Sequence, residues 1–166
     1  MTELIFKNQR EEDVKQLARV IANVLTAPST LLLFGDLGAG KSTFARFLIK
    51  ALTFENMVVP SPTFTLLQSY DTSKGPLTHF DLYRLSSSEE IIDLGWEDYI
   101  QYHMCLVEWP ERLDGHYPTP HMQIHFEEMG EKNRNLRMIF NASTDFQSLY
   151  TLLQKLATPE LLRKPF

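Results

Sequence analysis

The chain has 166 residues, of which 43% are hydrophobic and 22% charged, so it can bury a core and is neither disordered nor fibrous. Sixteen Lys and Arg against 21 Asp and Glu give a formal charge of -5, which disfavours direct contact with the phosphates of DNA or RNA. The single cysteine, Cys105, excludes a disulfide framework, and no stretch reaches the roughly 18 apolar residues that span a bilayer, so we expect one cytoplasmic domain over residues 1–166 with no membrane or DNA partner.

The first part of the chain predicts alternating helices and strands. Apolar residues within 11–25 recur at helical spacing behind an acidic first turn, which predicts an amphipathic helix. The run "STLLLFG", residues 29–35, is typical of a strand buried on both faces, and helical spacing returns over 41–52. Pro60 and Pro62 predict an irregular or extended loop that leads into a strand.

The second part predicts further strands and two helices. Residues 77–85 alternate as a strand, 86–100 indicate an acidic helix interrupted near Gly95, and 103–109 form a buried strand that Pro110 ends. Residues 121–129 and 135–143 predict an antiparallel hairpin, followed by a helix from about Asp145 to Ala157. The order predicts a three-layer α/β fold with a mainly parallel central sheet and a C-terminal antiparallel hairpin that extends or covers one edge.

A phosphate-binding motif lies between the predicted strand 29–35 and the predicted helix 41–52. Residues 35–42, "GDLGAGKS", match the full P-loop pattern G-x-x-x-x-G-K-[ST], in which backbone N–H groups and a helix N-terminus hold phosphate. Lys41 would reach the β- and γ-phosphates, and the Ser42 hydroxyl would bind Mg²⁺. With this motif, the predicted α/β fold is of the P-loop NTPase type. The predicted nucleotide-binding residues are Asp36, Leu37, Gly38, Ala39, Gly40, Lys41, Ser42 and Thr43.

Two carboxylates follow predicted buried strands and are candidates for the catalytic acids. Glu108 follows the more continuous apolar run, so we predict it on the metal side, with Asp81 further out or in contact with the catalytic water. A carboxylate at a strand end can also be only a turn or capping residue. Trp109, between Glu108 and Pro110, is predicted at the rim of the site.

The nucleotide is predicted to be ATP. GTPases read guanine with an Asn-Lys-x-Asp tetrad, and the sequence has none. The five histidines show no metal-ligand spacing; His121 and His125 would share one side of a strand without a third ligand.

The motifs "GDLGAGKST", "SPTFTL", "HFDLYRL" and "CLVEWPERL", in this order, resemble the TsaE (YjeE) family of small bacterial P-loop ATPases over almost the whole chain. The resemblance implies a role in the threonylcarbamoyladenosine modification of tRNA next to the anticodon. It further implies TsaB and TsaD as partners, with tRNA reached only through their complex, and ATP and Mg²⁺ as cofactors.

The resemblance also implies roles for single residues. Lys41 and Ser42 would carry phosphate and Mg²⁺, and Glu108 the metal. Asp81 and Trp109 match positions tied to ATP hydrolysis or its coupling. Residues 61–65, with Ser61 and Thr63, would form a nucleotide-sensing loop. The turn "GEKNRNLR" resembles the family's charged turn without deciding between Lys132 and Arg134 as a phosphate contact.

Two other functions are compatible with the P-loop. A small-molecule kinase would need an arginine-rich lid, and only Arg84 and Arg112 lie near candidate loops. A nucleotide-gated adaptor would bind ATP without needing hydrolysis. Because no arginine finger is evident, we expect an ATPase of this kind to be slow alone, with a partner completing the site around the proline-rich loop and Trp109.

Overall fold

The computed structural model describes residues 2–141 and 146–157. Its strands, in chain order, are β1 (Thr2–Gln9), β2 (Ser29–Phe34), β3 (Leu67–Tyr70), β4 (Leu77–Asp81), β5 (Met104–Glu108), β6 (His121–Met129) and β7 (Asn133–Asn141). Its helices are α1 (Glu11–Val24), α2 (Lys41–Leu52), α3 (Glu89–Asp93), α4 (Trp96–Tyr102) and α5 (Gln147–Ala157), and a 3-10 turn spans Pro110–Leu113.

The strands form one seven-stranded sheet in the order β1-β7-β6-β2-β5-β4-β3. Strands β6, β2, β5 and β4 are mutually parallel, whereas β1, β7 and β3 pair antiparallel at the two margins. The predicted P-loop NTPase-type α/β fold is confirmed, with its parallel pairing confined to the centre. The predicted hairpin extends the sheet beside β2, and β1 pairs with its outer strand.

Each face of the sheet has its own core, which gives the fold its three layers. Leu31 and Leu33 of β2 pack with α1 and α2, where Phe44 is fully buried. Leu32 points to the opposite face and packs with Trp96 of α4. This alternation within a continuous apolar run is what burial on both faces requires.

Several predicted boundaries differ from the structure, and others lie outside the described residues. The strand predicted over 77–85 ends at Asp81, because the Asp81 carboxylate accepts the Tyr83 backbone N–H and turns the chain. The second hairpin strand begins at Asn133 rather than residue 135, and its predicted last residues, 142–143, lie outside the described residues. The final helix is described from Gln147; its predicted first residue, Asp145, also lies outside them.

Strand β1 was not predicted from the sequence. Only Leu4 and Phe6 alternate as buried apolar residues at its centre, which is too short a pattern to predict a strand. Asn8 has a positive φ of 54°, and the register with β7 shifts between Phe6 and Gln9. β1 is instead held by its pairing with β7, whose residues lie 125 to 138 positions later in the chain.

None of the described helices is both long enough and apolar enough to cross a membrane.

Cys105 is a core residue of β5 and should be chemically inert in the folded protein. It is 1% exposed, and burial raises the pKa of its thiol to about 12. Since the thiolate is the reactive form, we expect no alkylation of native protein at about pH 8 and full labelling once it is unfolded in guanidinium. Mass spectrometry after iodoacetamide treatment measures this, and rapid labelling of the native protein would contradict the buried placement.

Candidate functional site

A cleft of about 290 Å³ lies where the parallel strands end at their carboxyl termini, the edge at which open α/β sheets bind ligands. The loop after β2, the ends of β4 and β5, and the segment before β3 all reach it. Its lining residues are Leu37, Gly38, Gly40, Lys41, Ser42, Thr43, Thr63, Asp81, Tyr83, Glu108 and Trp109. Most residues of the predicted site are thus brought to one place.

At two glycines of the loop, a side chain would meet a neighbouring residue. Gly35 has φ of 141°, and a Cβ there would lie 2.7 Å from the Phe126 carbonyl oxygen. Gly40 has φ of 106°, and a Cβ there would lie 1.9 Å from Nη1 of Arg134. Helix α2 begins directly after Gly40, so its N-terminal N–H groups face the loop. Loop and helix terminus together form the anion-binding arrangement that the motif predicts.

Lys41 is a buried cation, 4% exposed, at the start of α2. Its amine donates hydrogen bonds to the carbonyl oxygens of Gly35 and of Asp36, the latter at 2.8 Å, and lies 3.8 Å from the centre of the Trp109 ring. Burial lowers the pKa of Lys41 below its ordinary value, against the opposing effect of Glu108. Because neutral carbonyls do not cancel its charge, Lys41 is suited to an anionic ligand.

Glu108 and Asp81 are registered neighbours on β5 and β4, so their carboxylates lie side by side. Glu108 Oε2 accepts a hydrogen bond from the Ser42 hydroxyl at 2.7 Å, and its Oε1 lies 2.8 Å from Nε2 of His79. Asp81 Oδ2 accepts from the Thr63 hydroxyl at 2.7 Å. These hydroxyl and carboxylate oxygens are the ligand type that Mg²⁺ prefers, so the donor set fits that ion.

The proline-rich segment is irregular, as predicted, and a chain of hydroxyls connects it to Asp81. The Ser61 hydroxyl donates to Thr63 at 2.8 Å, and Thr63 in turn donates to Asp81. Leu66 has a positive φ of 64°, and its carbonyl accepts the Asp81 backbone N–H at 2.9 Å. Asp81 is therefore joined to this segment by a side-chain and by a backbone hydrogen bond.

Trp109 lies at the mouth of the cleft in a left-handed backbone conformation, with φ of 59°. Its ring packs against Lys41 and against Tyr83, whose ring centre is 4.9 Å away. Such a φ is unfavourable for a bulky residue and occurs where the surroundings enforce it, often at functional sites. Pro110 follows as the first residue of the 3-10 turn.

The remaining predicted residues lie around the cleft rather than along its wall. Asp36 contributes its carbonyl to Lys41, and the buried Ala39 accepts a hydrogen bond from Arg134 Nη1 at 3.3 Å. Arg134, not Lys132, is thus the member of the charged turn that touches the P-loop. His121 and His125 each bond to Gln123 on β6.

Sequence reasoning missed His79. It lies two residues before Asp81 on β4, and residues two apart share a face of the sheet, so period-two spacing was the available signal. Tyr83 was missed as well, because its place in the cleft depends on the turn that Asp81 makes.

Substituting Gly35 tests the close packing of the loop. We expect Gly35→Ala to lower the free energy of unfolding by about 2–3 kcal/mol, from the left-handed conformation and the contact with Phe126. Gly115→Ala is the control, since its φ is also positive, at 82°, but no atom lies within 4 Å of its Cβ. Urea denaturation measures both, and an equal loss in the two variants would contradict the steric argument.

Comparisons with known proteins agree on one family. A sequence model described as "Threonylcarbamoyl adenosine biosynthesis protein TsaE" matches residues 8–136. A Rickettsia felis protein named "tRNA threonylcarbamoyladenosine biosynthesis protein TsaE" is 42% identical over 91% of this chain and 86% of its own length. A Bacillus subtilis protein of the same name is 34% identical over 82% of this chain and 85% of its own.

A solved structure has the same fold. The crystal structure of Bacillus subtilis YdiB superposes with a TM-score of 0.72 and 26% sequence identity, covering 94% of each chain. The agreement extends beyond the P-loop, because both chains are matched over nearly their full lengths.

Proposed function

The chain belongs to the TsaE family, and from this premise we propose that it binds and hydrolyses ATP with Mg²⁺ in support of the threonylcarbamoyladenosine modification of tRNA. The observation that carries the hydrolytic part is the pair of adjacent carboxylates, Asp81 and Glu108, beside Lys41 and Ser42 in one cleft. We place this activity in the cytoplasm, where tRNA is modified, and assign it to a single domain over residues 1–166.

Each residue of the cleft has a distinct proposed task. The loop N–H groups and Lys41 bind the β- and γ-phosphates and spread the charge of the transferring phosphoryl group. Ser42 and Glu108 hold Mg²⁺, which when bound neutralises phosphate charge. Asp81 orients the attacking water, and Thr43 contacts the α-phosphate. Since phosphoryl transfer needs mainly positioning and electrostatic stabilisation, these groups suffice for slow hydrolysis.

Two observations support a partner at this cleft. Leu37, on the loop, is 78% exposed, and Phe64, next to Thr63, is 84% exposed. Exposed apolar side chains beside a functional site are typical of a protein contact. We propose that the TsaB and TsaD proteins bind here, that Ser61, Thr63 and Trp109 report the nucleotide state to them, and that tRNA is reached only through their complex.

Phosphate release tests the proposal. Labelled ATP is incubated with the protein alone and with TsaB and TsaD, and free phosphate is measured. We expect slow release alone and at least about tenfold faster release with both partners, because completing a P-loop site in trans raises turnover strongly. Transfer of the γ-phosphate to a metabolite would instead identify a kinase. Tight ATP binding with no phosphate release under either condition would identify a nucleotide-gated adaptor.

A further inference from the structure

His79 is a buried residue of the central sheet, and its imidazole contacts the cleft residue Glu108. It is 1% exposed, on β4, and its Nε2 lies 2.8 Å from Glu108 Oε1. Its Nδ1 has no hydrogen-bond partner in the part of the chain that the structure describes. The carboxylate accepts, so Nε2 carries the proton and donates. Among the described residues, the hydrogen bond to Glu108 is therefore the only one that this ring makes.

The second oxygen of Glu108 is held as well. Ser42 donates to Oε2 at 2.7 Å, so the carboxylate is fixed between a hydroxyl of α2 and an imidazole of β4. A carboxylate with one anchored oxygen can rotate about its terminal torsion, whereas two donors on opposite oxygens fix its plane. Glu108 is itself 1% exposed, so water does not replace a lost donor easily.

We propose that His79 is a positioning residue that orients Glu108 towards Ser42 and the bound Mg²⁺-nucleotide. The inference rests on the proposed function, since it takes that nucleotide as the ligand. It assigns no proton transfer to His79, which reaches the ligand only through Glu108. Partners that orient a metal-side carboxylate in this way commonly change metal affinity or activity by about 10- to 100-fold when removed.

The contact is not needed to hold β4 against β5. The two strands are paired at five successive positions, from Leu77 with Met104 to Asp81 with Glu108. Phe80 and Val107 pack on the other face in the second core. A purely structural role for His79 would therefore affect stability and leave the dependence on Mg²⁺ unchanged.

The test compares nucleotide binding with and without the metal. Isothermal titration with the non-hydrolysable analogue AMPPNP is done in Mg²⁺ and in EDTA for the wild type, His79→Leu, His79→Asn and His79→Gln. We expect His79→Leu and His79→Asn to weaken binding about tenfold or more in Mg²⁺ and less than about threefold in EDTA. His79→Gln should keep most of the affinity, because its amide N–H reaches further than that of His79→Asn. The same ordering is expected for the Mg²⁺ concentration that half-activates hydrolysis.

Two controls separate positioning from stability. Thr78→Val removes partly buried hydrogen bonds to Ser69 and His103 on the opposite face of the same strand, and it should lower Tm without changing the Mg²⁺ dependence. In a Glu108→Gln background, His79→Leu should have no further effect on Mg²⁺-dependent binding, because coupled residues are not additive.

The inference would be overturned if the His79 variants lost the same affinity in Mg²⁺ as in EDTA. It would also be overturned if the effects of His79→Leu and Glu108→Gln on affinity were fully additive. If His79→Leu does not fold, the affinities of His79→Gln and His79→Asn are compared instead. Equal affinity of these two variants in Mg²⁺ would then overturn the inference. Failure of the wild type to bind the analogue at all would refute the proposed function, whereas normal wild-type binding with no effect of the His79 variants would refute this inference alone.

Discussion

Lys41→Ala is expected to reduce ATP hydrolysis by about 100- to 1000-fold, the usual cost of removing one preorganised group that stabilises charge in a transition state. Lys41 is buried, and its amine is close to the loop carbonyls of Gly35 and Asp36, so its charge acts in a poorly solvated site. ATP affinity should fall together with the rate, because the amine also binds the ground-state phosphates. Phosphate release and analogue titration measure the two effects.

The free energy of unfolding should not fall with the activity in Lys41→Ala. Lys41 is buried against neutral carbonyls and the Trp109 ring, and burial lowers its pKa, so its removal relieves a desolvated charge. We expect the free energy of unfolding of Lys41→Ala to equal or exceed that of the wild type. Lys50→Ala, in the last turn of the same helix, is the matched control and should leave hydrolysis unchanged. Normal hydrolysis by Lys41→Ala would contradict the assignment of the P-loop as the phosphate site.

Asp81→Asn should reduce hydrolysis by about 100-fold or more, in the range by which a group that handles the attacking water contributes, while ATP affinity changes by less than about threefold. Asparagine keeps one oxygen, which can still accept the Tyr83 N–H and so retain the turn after β4, and its amide N–H can donate to the Thr63 hydroxyl. The charge that orients water is lost. Phosphate release and analogue titration in Mg²⁺ separate the two quantities.

Two comparisons sharpen this prediction. Asp93→Asn, an exposed carboxylate on α3, should behave as the wild type. Glu108→Gln should instead weaken Mg²⁺-dependent binding, since Glu108, not Asp81, contacts Ser42. If Asp81→Asn lost binding and Glu108→Gln lost only turnover, the two carboxylates would have exchanged roles relative to the assignment proposed here.

The P-loop and its flanks could be predicted because their determinants are local. Residues 35–42 carry the glycines, lysine and serine of the loop in sequence order, and the apolar run before them alternates between two cores, as burial on both faces demands. The helix predicted over 41–52 has the same limits in the structure. Asp81 and Glu108 could also be identified, because each follows a predicted buried strand.

The contacts that complete the site are not local, and sequence alone did not supply them. Asp81 and Glu108 become neighbours through the β4–β5 register, and His79 reaches Glu108 only because β4 lies beside β5. The placement of Arg134 against Gly40 likewise depends on the hairpin extending the sheet next to β2. Periodicity within one strand can indicate which residues share a face, but it does not indicate which strand lies beside it.

We propose that ATP hydrolysis in this cleft, and not ATP binding alone, supports tRNA modification. The most direct test measures threonylcarbamoyladenosine formed on tRNA by TsaB and TsaD over repeated turnovers, with the wild type or Asp81→Asn at saturating ATP. Continued modification with the wild type, and no more than a single round with Asp81→Asn, is the predicted result. Equal modification with the two proteins would contradict the claim.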